Sequence, residues 1–327
     1  MTGWLFDLDG VVYTGQAEIP GAGAALSELA ACNPIAFVTN NASRSNAAMA
    51  EHIRSFGVDI ADSQVMTSAI AGAQSLSEVL PAGSRVLIVG SEFLAACVEQ
   101  AGLEPVLPTA GLVDELDSQR QRVDAVLQGL AADVGNIDLC CAIAAVRAGA
   151  KFCATNPDLR LPKETGFFPG NGSFVRIVQE CTGIDPEVFG KPEATMLTLA
   201  AQAQDMSDTV MVGDQIATDI AAGKAAGMRT ALVLTGVDSV HSALALPPSQ
   251  QPDVITASIA TVRAAVEDIP AVRCDGETAV CGEARVHVED NRIVHSGPNA
   301  HATAAALALS AHLDRPLDAG TLPERFA

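Results

Sequence analysis

The sequence predicts an α/β protein with a doubly wound parallel-sheet core, an inserted second α/β unit and a small α+β C-terminal extension. Three observations predict it. Short apolar runs that stop at polar residues recur along the chain, each followed by a helical pattern. A complete strand–helix series of its own lies between residues 69 and 186 and interrupts the first series. After Pro270 the pattern changes to weak two-residue alternation and an alanine-rich helix. The expected division is therefore 1–68 with 187–270 as the core, 69–186 as the insertion and 271–327 as the extension.

The totals bound the function. A chain of 327 residues with 49% hydrophobic content can fill two cores. Nineteen Lys and Arg against 39 Asp and Glu leave a net charge of −20, which argues against nucleic acid and anionic membranes as partners. Any site for an anion must then be made locally positive by a metal, a lysine or backbone N–H groups. No stretch is apolar enough to span a bilayer, and Asp7 and Asp9 arrive before a signal-peptide run could form, so a cytoplasmic location is expected. The eight cysteines form no Cys-x-x-Cys pair and sit mostly in apolar segments, which predicts reduced, buried thiols.

The first strand, Trp4 to Val12, carries Asp7 and Asp9 on either side of Leu8, with Gly10 next. Residues two apart in a strand point the same way, so both carboxylates leave its end on one side. Two close carboxylates repel unless a cation or a shared proton intervenes. The pair suits Mg²⁺ and a phosphate, with one carboxylate able to attack phosphorus. A strand ending in a plain Asp-Gly turn accounts for these residues equally well. Gly21-Ala22-Gly23 lacks the third glycine of a dinucleotide loop and reads as the start of a helix reaching about Ala31.

Pro34 to Thr39 is an apolar strand ending in Thr39-Asn40-Asn41, and Ser43 or Ser45 caps the helix that Gly57 closes. Taken alone, that polar end is ordinary turn and cap chemistry. In the insertion, helices are expected over Ala69–Leu80, Ser91–Ala101 and Asn136–Ala148, with strands at Arg85–Val89, Val123–Leu127 and Lys151–Thr155. Residues Gly111 to Arg122 and Asn156 to Gly172 are expected to be loops, and a helix follows to about Cys181. Lys191 precedes Pro192, which suits the first turn of a helix running to about Gln202. Thr209 to Gly213 is a strand ending at Asp214, Asp219 opens a helix to Ala226, and Arg229–Leu234 and Asp253–Ile255 are further strands before the helix Ile259–Val266. In the extension, Ala284–Val288 and Arg292–Val294 form a hairpin about Glu289-Asp290-Asn291, and Asn299 caps a helix to about Leu313. A piece of this size needs a surface to dock on, either the body or a second subunit. His287, His295 and His301 match no metal-ligand spacing.

Four polar stations thus end apolar strands or start helices: Asp7/Asp9, Thr39/Asn40, Lys191 and Asp214/Asp219. In their order and spacing they resemble the four motifs of the haloacid dehalogenase superfamily over residues 1–270. The segments Asp7 to Tyr13, Phe37 to Arg44, Thr67-Ser68-Ala69, Ala154 to Asp158 and Gly190-Lys191-Pro192 resemble the branch with a large α/β cap. That branch includes p-nitrophenyl, phosphoglycolate, pyridoxal phosphate and glycerol-3-phosphate phosphatases. By overall likeness the chain is most similar to the actinobacterial glycerol-3-phosphate phosphatases. One departure stands out. Members often carry an aspartate after Gly-Leu in the cap, where this chain has Gly129-Leu130-Ala131-Ala132-Asp133.

The resemblance implies roles. Asp7 attacks phosphorus and becomes an aspartyl phosphate, and Asp9 protonates the leaving alkoxide and then activates water. Mg²⁺ is held by Asp7, the Asp9 carbonyl and Asp214, with Asp219 behind them. Thr39, the Asn40 N–H and Lys191 hold the phosphoryl oxygens. Mg²⁺ and Lys191 together offset Asp7 and Asp214 while Asp9 is protonated, which lets a dianion approach despite the acidic surface. In the cap, the loop from Asn156 to Ser173, especially Asn171, Gly172 and Ser173, is expected to face the core and help select the leaving group. The implied partner is a small phosphorylated metabolite, with homo-oligomerisation open. Glycerol 3-phosphate is the first substrate expected, with phosphoglycolate, pyridoxal phosphate or a nucleotide as alternatives. A receiver-like domain phosphorylated on aspartate and a non-catalytic binding protein compete from other classes. The Asp-x-Asp spacing and the insertion speak against the receiver, and the four intact stations speak against the binding protein.

Overall fold

The computed structural model describes residues 1–163 and 166–326. Its contacts divide the chain into two units, one formed by Met1–Phe37, Ala50–Gln64 and the chain from Ala200 onward, the other by Val38–Met49 and Val65–Leu199.

In the first unit the strands run in the order Val254–Thr256, Arg229–Val233, Asp208–Gly213, Thr2–Phe6 and Ile35–Thr39, the last two residues of which fall in the second unit. Every pairing in this series is parallel. Strands covered on both faces need apolar residues throughout, and Trp4, Leu5, Phe6, Val210, Met211 and Val212 are all fully buried. Trp4 and Phe6, two apart, share one face and stack at 6.3 Å between ring centroids. Phe6 is in register with Val212, and the Asp7 N–H donates to the Val212 carbonyl at 2.9 Å. Asp7 and Asp214 therefore leave neighbouring strands at the same carboxyl edge.

After Asp214 the chain takes a wide turn of helix over Ile216–Ile220 and continues as Ala221–Ala225, so Asp219 lies inside the turn rather than opening the helix. Gly227, at φ 68°, ends it. A short helix, Val240–Leu244, was not expected from the sequence; the Ser239 hydroxyl caps it, accepting from the Ser242 N–H at 3.2 Å. Five residues carry too little periodicity to stand out against the loop around them.

The extension holds four antiparallel strands, not two: Arg273–Asp275, Thr278–Cys281, Ala284–Glu289 and Arg292–Ser296, followed by the helix Asn299–Leu313. The first two were hidden because their inward residues, such as Ala279 and Cys281, are small and give a faint alternation. Asp290 and Asn291 both take positive φ, 50° and 65°, as a two-residue hairpin turn requires. The extension docks on the first unit. Val286, Ile293, Leu309 and Leu322 share one apolar cluster with Ile220, Leu232, Leu244 and Ile255.

The second unit has its own parallel sheet, ordered Glu187–Val188, Lys151–Ala154, Ala125–Gln128, Arg85–Val89 and Glu104–Val106. Its helices are Ser68–Val79, Glu92–Gln100, Ala110–Asp117, Asn136–Arg147 and Asn171–Thr182. Three expectations need correction. The loop expected over Gly111–Arg122 is mostly helix, because the Thr109 hydroxyl accepts from the Leu112 N–H at 3.2 Å and Leu112 and Leu116 are buried one turn apart. The loop expected from Asn156 contains the antiparallel pair Arg160–Lys163 and Gly166–Pro169; Pro162 and Gly166 disguise it as a loop, and its residues 164–165 lie outside the described residues. The helix expected to begin at Pro192 begins at Thr195.

All eight cysteines are free thiols, but Cys32 and Cys181 are exposed, against the expectation of burial. Burial pushes Cys97 up to about 11 and Cys153 up to about 12. His287 pairs with Glu289 and His295 with the Thr321 hydroxyl. Among the described residues, no helix is long and apolar enough to cross a membrane.

Candidate active site

Each unit contributes its own cluster. In the first, ligand oxygens of Asp7, Asp214 and Asp219 all lie within 4.8 Å of one another. Asp214 and Asp219 are buried, at 4% and 0% exposure, and Asp7 is half-buried. Asp9, whose backbone bridges to Tyr13, is exposed and does not belong to this carboxylate group.

Backbone N–H groups hold the carboxylates in place. One Asp219 oxygen accepts from the N–H groups of Asp214, at 3.2 Å, and Gln215, at 3.0 Å. The Val237 N–H donates to Asp214 Oδ2 at 2.7 Å, and the Asp238 N–H donates to the Asp214 carbonyl at 3.0 Å. Asp238 in turn accepts from the Ile216 N–H at 2.7 Å. Thr235 donates its hydroxyl to the Gly10 carbonyl at 2.6 Å, tying the loop after Arg229–Val233 to the turn after the first strand. Gly236 is required by close approach, since a Cβ there would lie 1.8 Å from Asp214 Oδ2.

Three acidic side chains this close, two of them buried, carry an electrostatic cost that a positive group removes. An all-oxygen donor set suits a hard divalent cation such as Mg²⁺. The residues present fit such an ion: Asp7 and Asp214 have the geometry to ligate it, while one Asp219 oxygen is already committed to two N–H donors.

In the second unit Asn40 is the hub. Its side-chain oxygen accepts from the Lys191 N–H at 2.8 Å, and its Nδ2 donates to the Lys191 carbonyl at 2.9 Å and to Asp158 at 3.0 Å. Its carbonyl accepts from the Ser68 hydroxyl at 2.8 Å and from Asn156 Nδ2 at 2.7 Å. Lys191 is buried, with Nζ 3.5 Å from the Val38 carbonyl. The Thr39 hydroxyl, also buried, accepts from the Asn41 N–H at 3.2 Å. The structure thus joins Asn40 and Lys191 into one network, with the Thr39 hydroxyl paired to Asn41 next to it in sequence.

The cap residues Asn171, Gly172 and Ser173 sit at the start of the Asn171–Thr182 helix. Asn171 Nδ2 donates to the carbonyls of Asn156, at 2.8 Å, and Gln128, at 3.2 Å, so it fastens the same network from behind. Ser173 donates to the Leu159 carbonyl at 2.7 Å, and a Cβ on Gly172 would lie 2.1 Å from the Pro157 carbonyl. Both act on the backbone of the segment after Lys151–Ala154.

Sequence reasoning placed Asn156 and Asp158 only within the cap loop expected to face the core, and gave no site role to Ser68, Thr235, Gly236 or Asp238. The Thr-Gly pair directly after a strand was a usable signal for the last group.

A family model described as haloacid dehalogenase-like hydrolase matches residues 4–104, and a second, HAD-hydrolase-like model matches residues 188–262. The chain is 41% identical over 251 residues to the D-glycerol 3-phosphate phosphatase of Mycobacterium tuberculosis, covering 77% of this chain and 68% of that protein. It is 38% identical over 241 residues to the acid sugar phosphatase of Staphylococcus aureus, covering 73% of this chain and 88% of that protein. Among solved structures it is similar to the M. tuberculosis glycerol phosphate phosphatase in complex with magnesium, with a TM-score of 0.80, 35% identity and coverage of 96% of this chain and 91% of that one. A p-nitrophenyl phosphatase from Archaeoglobus fulgidus matches with a TM-score of 0.71 and 30% identity, over 80% of this chain and 97% of that one. The strand-tip carboxylates, the lysine station and these relatives lead to one assignment: the chain belongs to the haloacid dehalogenase-like hydrolase family and is a phosphatase.

Proposed function

We propose that this phosphatase is Mg²⁺-dependent, works through an aspartyl phosphate on Asp7 and takes glycerol 3-phosphate as its substrate. The observation that carries the reading is the convergence of the Asp7, Asp214 and Asp219 oxygens within 4.8 Å. The substrate rests on the 41% identity to the relative named for D-glycerol 3-phosphate.

In this reading a carboxylate oxygen of Asp7 bonds to phosphorus as the bond to the glycerol oxygen breaks, and Asp9 gives its proton to that leaving oxygen. Asp9 then takes a proton from water as the water oxygen bonds to phosphorus, the Asp7–phosphorus bond breaks, and inorganic phosphate leaves. Asp7, the Asp9 carbonyl and Asp214 would hold Mg²⁺, which when bound would supply the positive charge that lets a dianionic ester meet a carboxylate. The Thr39 hydroxyl, the Asn40 N–H and the Lys191 ammonium bind the phosphoryl oxygens as charge spreads over them. What this asks of Asn40 is its backbone N–H, not the side chain already committed to Lys191. Residues 1–68 and 187–270 carry the chemistry, and 69–186 select the leaving group. Asn171, Gly172 and Ser173 contribute by shaping the backbone of residues 156–159.

A sugar phosphate is the second reading, favoured by the 38% identity to the acid sugar phosphatase. Phosphate release from a panel of glycerol 3-phosphate, sugar phosphates, phosphoglycolate, pyridoxal phosphate and nucleotides, with and without Mg²⁺, separates them. The expected result is Mg²⁺-dependent release with glycerol 3-phosphate giving the highest kcat/KM. A higher value for another ester overturns the substrate. A long-lived acid-stable phosphorylated chain without turnover would instead favour the signalling alternative.

A further inference from the structure

The segment at the C-terminal side of the extension reaches back to the carboxylate edge of its own unit. The Arg325 guanidinium donates to three backbone carbonyls, those of Leu234, Gly236 and Val237, the second at 2.7 Å and the third at 3.4 Å. In a chain with 39 acidic residues, this arginine spends its donors on one loop of backbone. Neighbouring contacts fix the segment on either side: the Val240 N–H donates to the Glu324 carbonyl at 3.0 Å, and His241 Nε2 lies 2.7 Å from the Leu322 carbonyl. Leu322 is buried, and Phe326 packs on the apolar cluster of the unit.

The loop that Arg325 grips is the one that holds Asp214. The Gly236 carbonyl and the Val237 N–H belong to a single peptide unit, which is planar and trans, so its oxygen and its hydrogen point in opposite directions. Arg325 takes the oxygen and Asp214 takes the hydrogen, at 2.7 Å in each case. A guanidinium on the oxygen also polarises the peptide and makes its N–H a stronger donor to a carboxylate. The loop lies against Asp214 so closely that a Cβ added at Gly236 would sit 1.8 Å from Asp214 Oδ2.

We propose that Arg325 is a positioning residue for the metal-binding carboxylate Asp214, acting through the peptide between Gly236 and Val237. This inference rests on the reading that Asp214 binds Mg²⁺. Groups that orient a metal's ligands commonly change its affinity by about 10- to 100-fold when removed.

The test is Mg²⁺ titration by calorimetry of the full chain and of Arg325→Ala, Arg325→Lys, Phe326→Ala and Asp214→Asn, with melting curves recorded without metal. Arg325→Ala should bind Mg²⁺ about 10-fold more weakly. Arg325→Lys, which keeps one charged donor, should recover part of the loss and carries the test if the alanine variant does not fold. Phe326→Ala, which loosens the segment without removing the guanidinium, should lower the melting temperature and leave Mg²⁺ affinity unchanged. Wild-type Mg²⁺ affinity in both Arg325 variants overturns the inference, as does an equal loss in Phe326→Ala, while Asp214→Asn still fails to bind. Wild-type binding by Asp214→Asn removes the metal reading itself, and the inference with it.

Discussion

The acidic cluster of the first unit and the Asn40 network of the second are built on opposite principles. In the first, like charges are brought together and held by backbone N–H groups, with Gly236 packed closely against Asp214. In the second, the Asn40 and Asn156 amides are matched donor to acceptor with the backbone, while the buried Asn171 Oδ1 behind them has no hydrogen-bond partner. In the proposed mechanism the first cluster reacts and the second aims. The carboxylates keep an electrostatic demand that a bound cation answers. The amides hold the Lys191 backbone and the segment 156–159 in place.

Replacing reacting groups should therefore cost far more turnover than replacing aiming groups. The largest loss is expected for Asp7→Asn, at about three orders of magnitude or more in kcat, measured by phosphate release. Near-normal release by this variant would end the nucleophile assignment and erase the contrast. Gly236→Ala comes next. Its added methyl collides with Asp214, so Mg²⁺ affinity and kcat should both fall by about 10-fold or more, while substrate KM at saturating Mg²⁺ moves little. Asn40→Ala should do the reverse. It removes paired bonds to Lys191 and the contact to Asp158, so KM should rise and stability drop by about 2 kcal/mol, with Mg²⁺ affinity unchanged in calorimetry. A fall in Mg²⁺ affinity would mean that the two clusters are not independent.

The smallest effect is alkaline. Cys153 and Cys97 in the second unit have thiols pushed up to about 12 and about 11 by burial, from an ordinary value of 9.0. Raised folded values mean that the unfolded chain loses these protons first. Their stabilising effect is complete below about pH 9 and is lost as pH rises towards 12. Hydrogen exchange between pH 9 and 11 should show the Lys151–Ala154 strand loosening, and Cys153→Ala should blunt the trend.

Much of this was legible in the sequence. The parallel sheet was, because its strands are buried on both faces and read as unbroken apolar runs. The positions of Asp7, Thr39 and Asp214 were, because each ends such a run; Lys191 was singled out by Pro192, although the helix begins only at Thr195. The helix Ala110–Asp117 was not, since only Leu112 and Leu116 mark its buried stripe. Nor was the fastening behind the stations. Asn156, Asp158 and Ser68 lie 28 to 118 positions from Asn40, and nothing local in a chain announces a bond across such a gap. Arg325 is a further case, 89 positions from Gly236.

The reciprocal pairing of Asn40 with Lys191 also bears on how the protein ages. Hydrolysis of that one amide to a carboxylate changes a single nitrogen for an oxygen. The new group would face the Lys191 carbonyl and the Asp158 carboxylate, both acceptors, in place of the donor that bound them. Attraction would turn to repulsion at the hub, so slow chemical damage at one atom could disable stored enzyme without breaking a peptide bond.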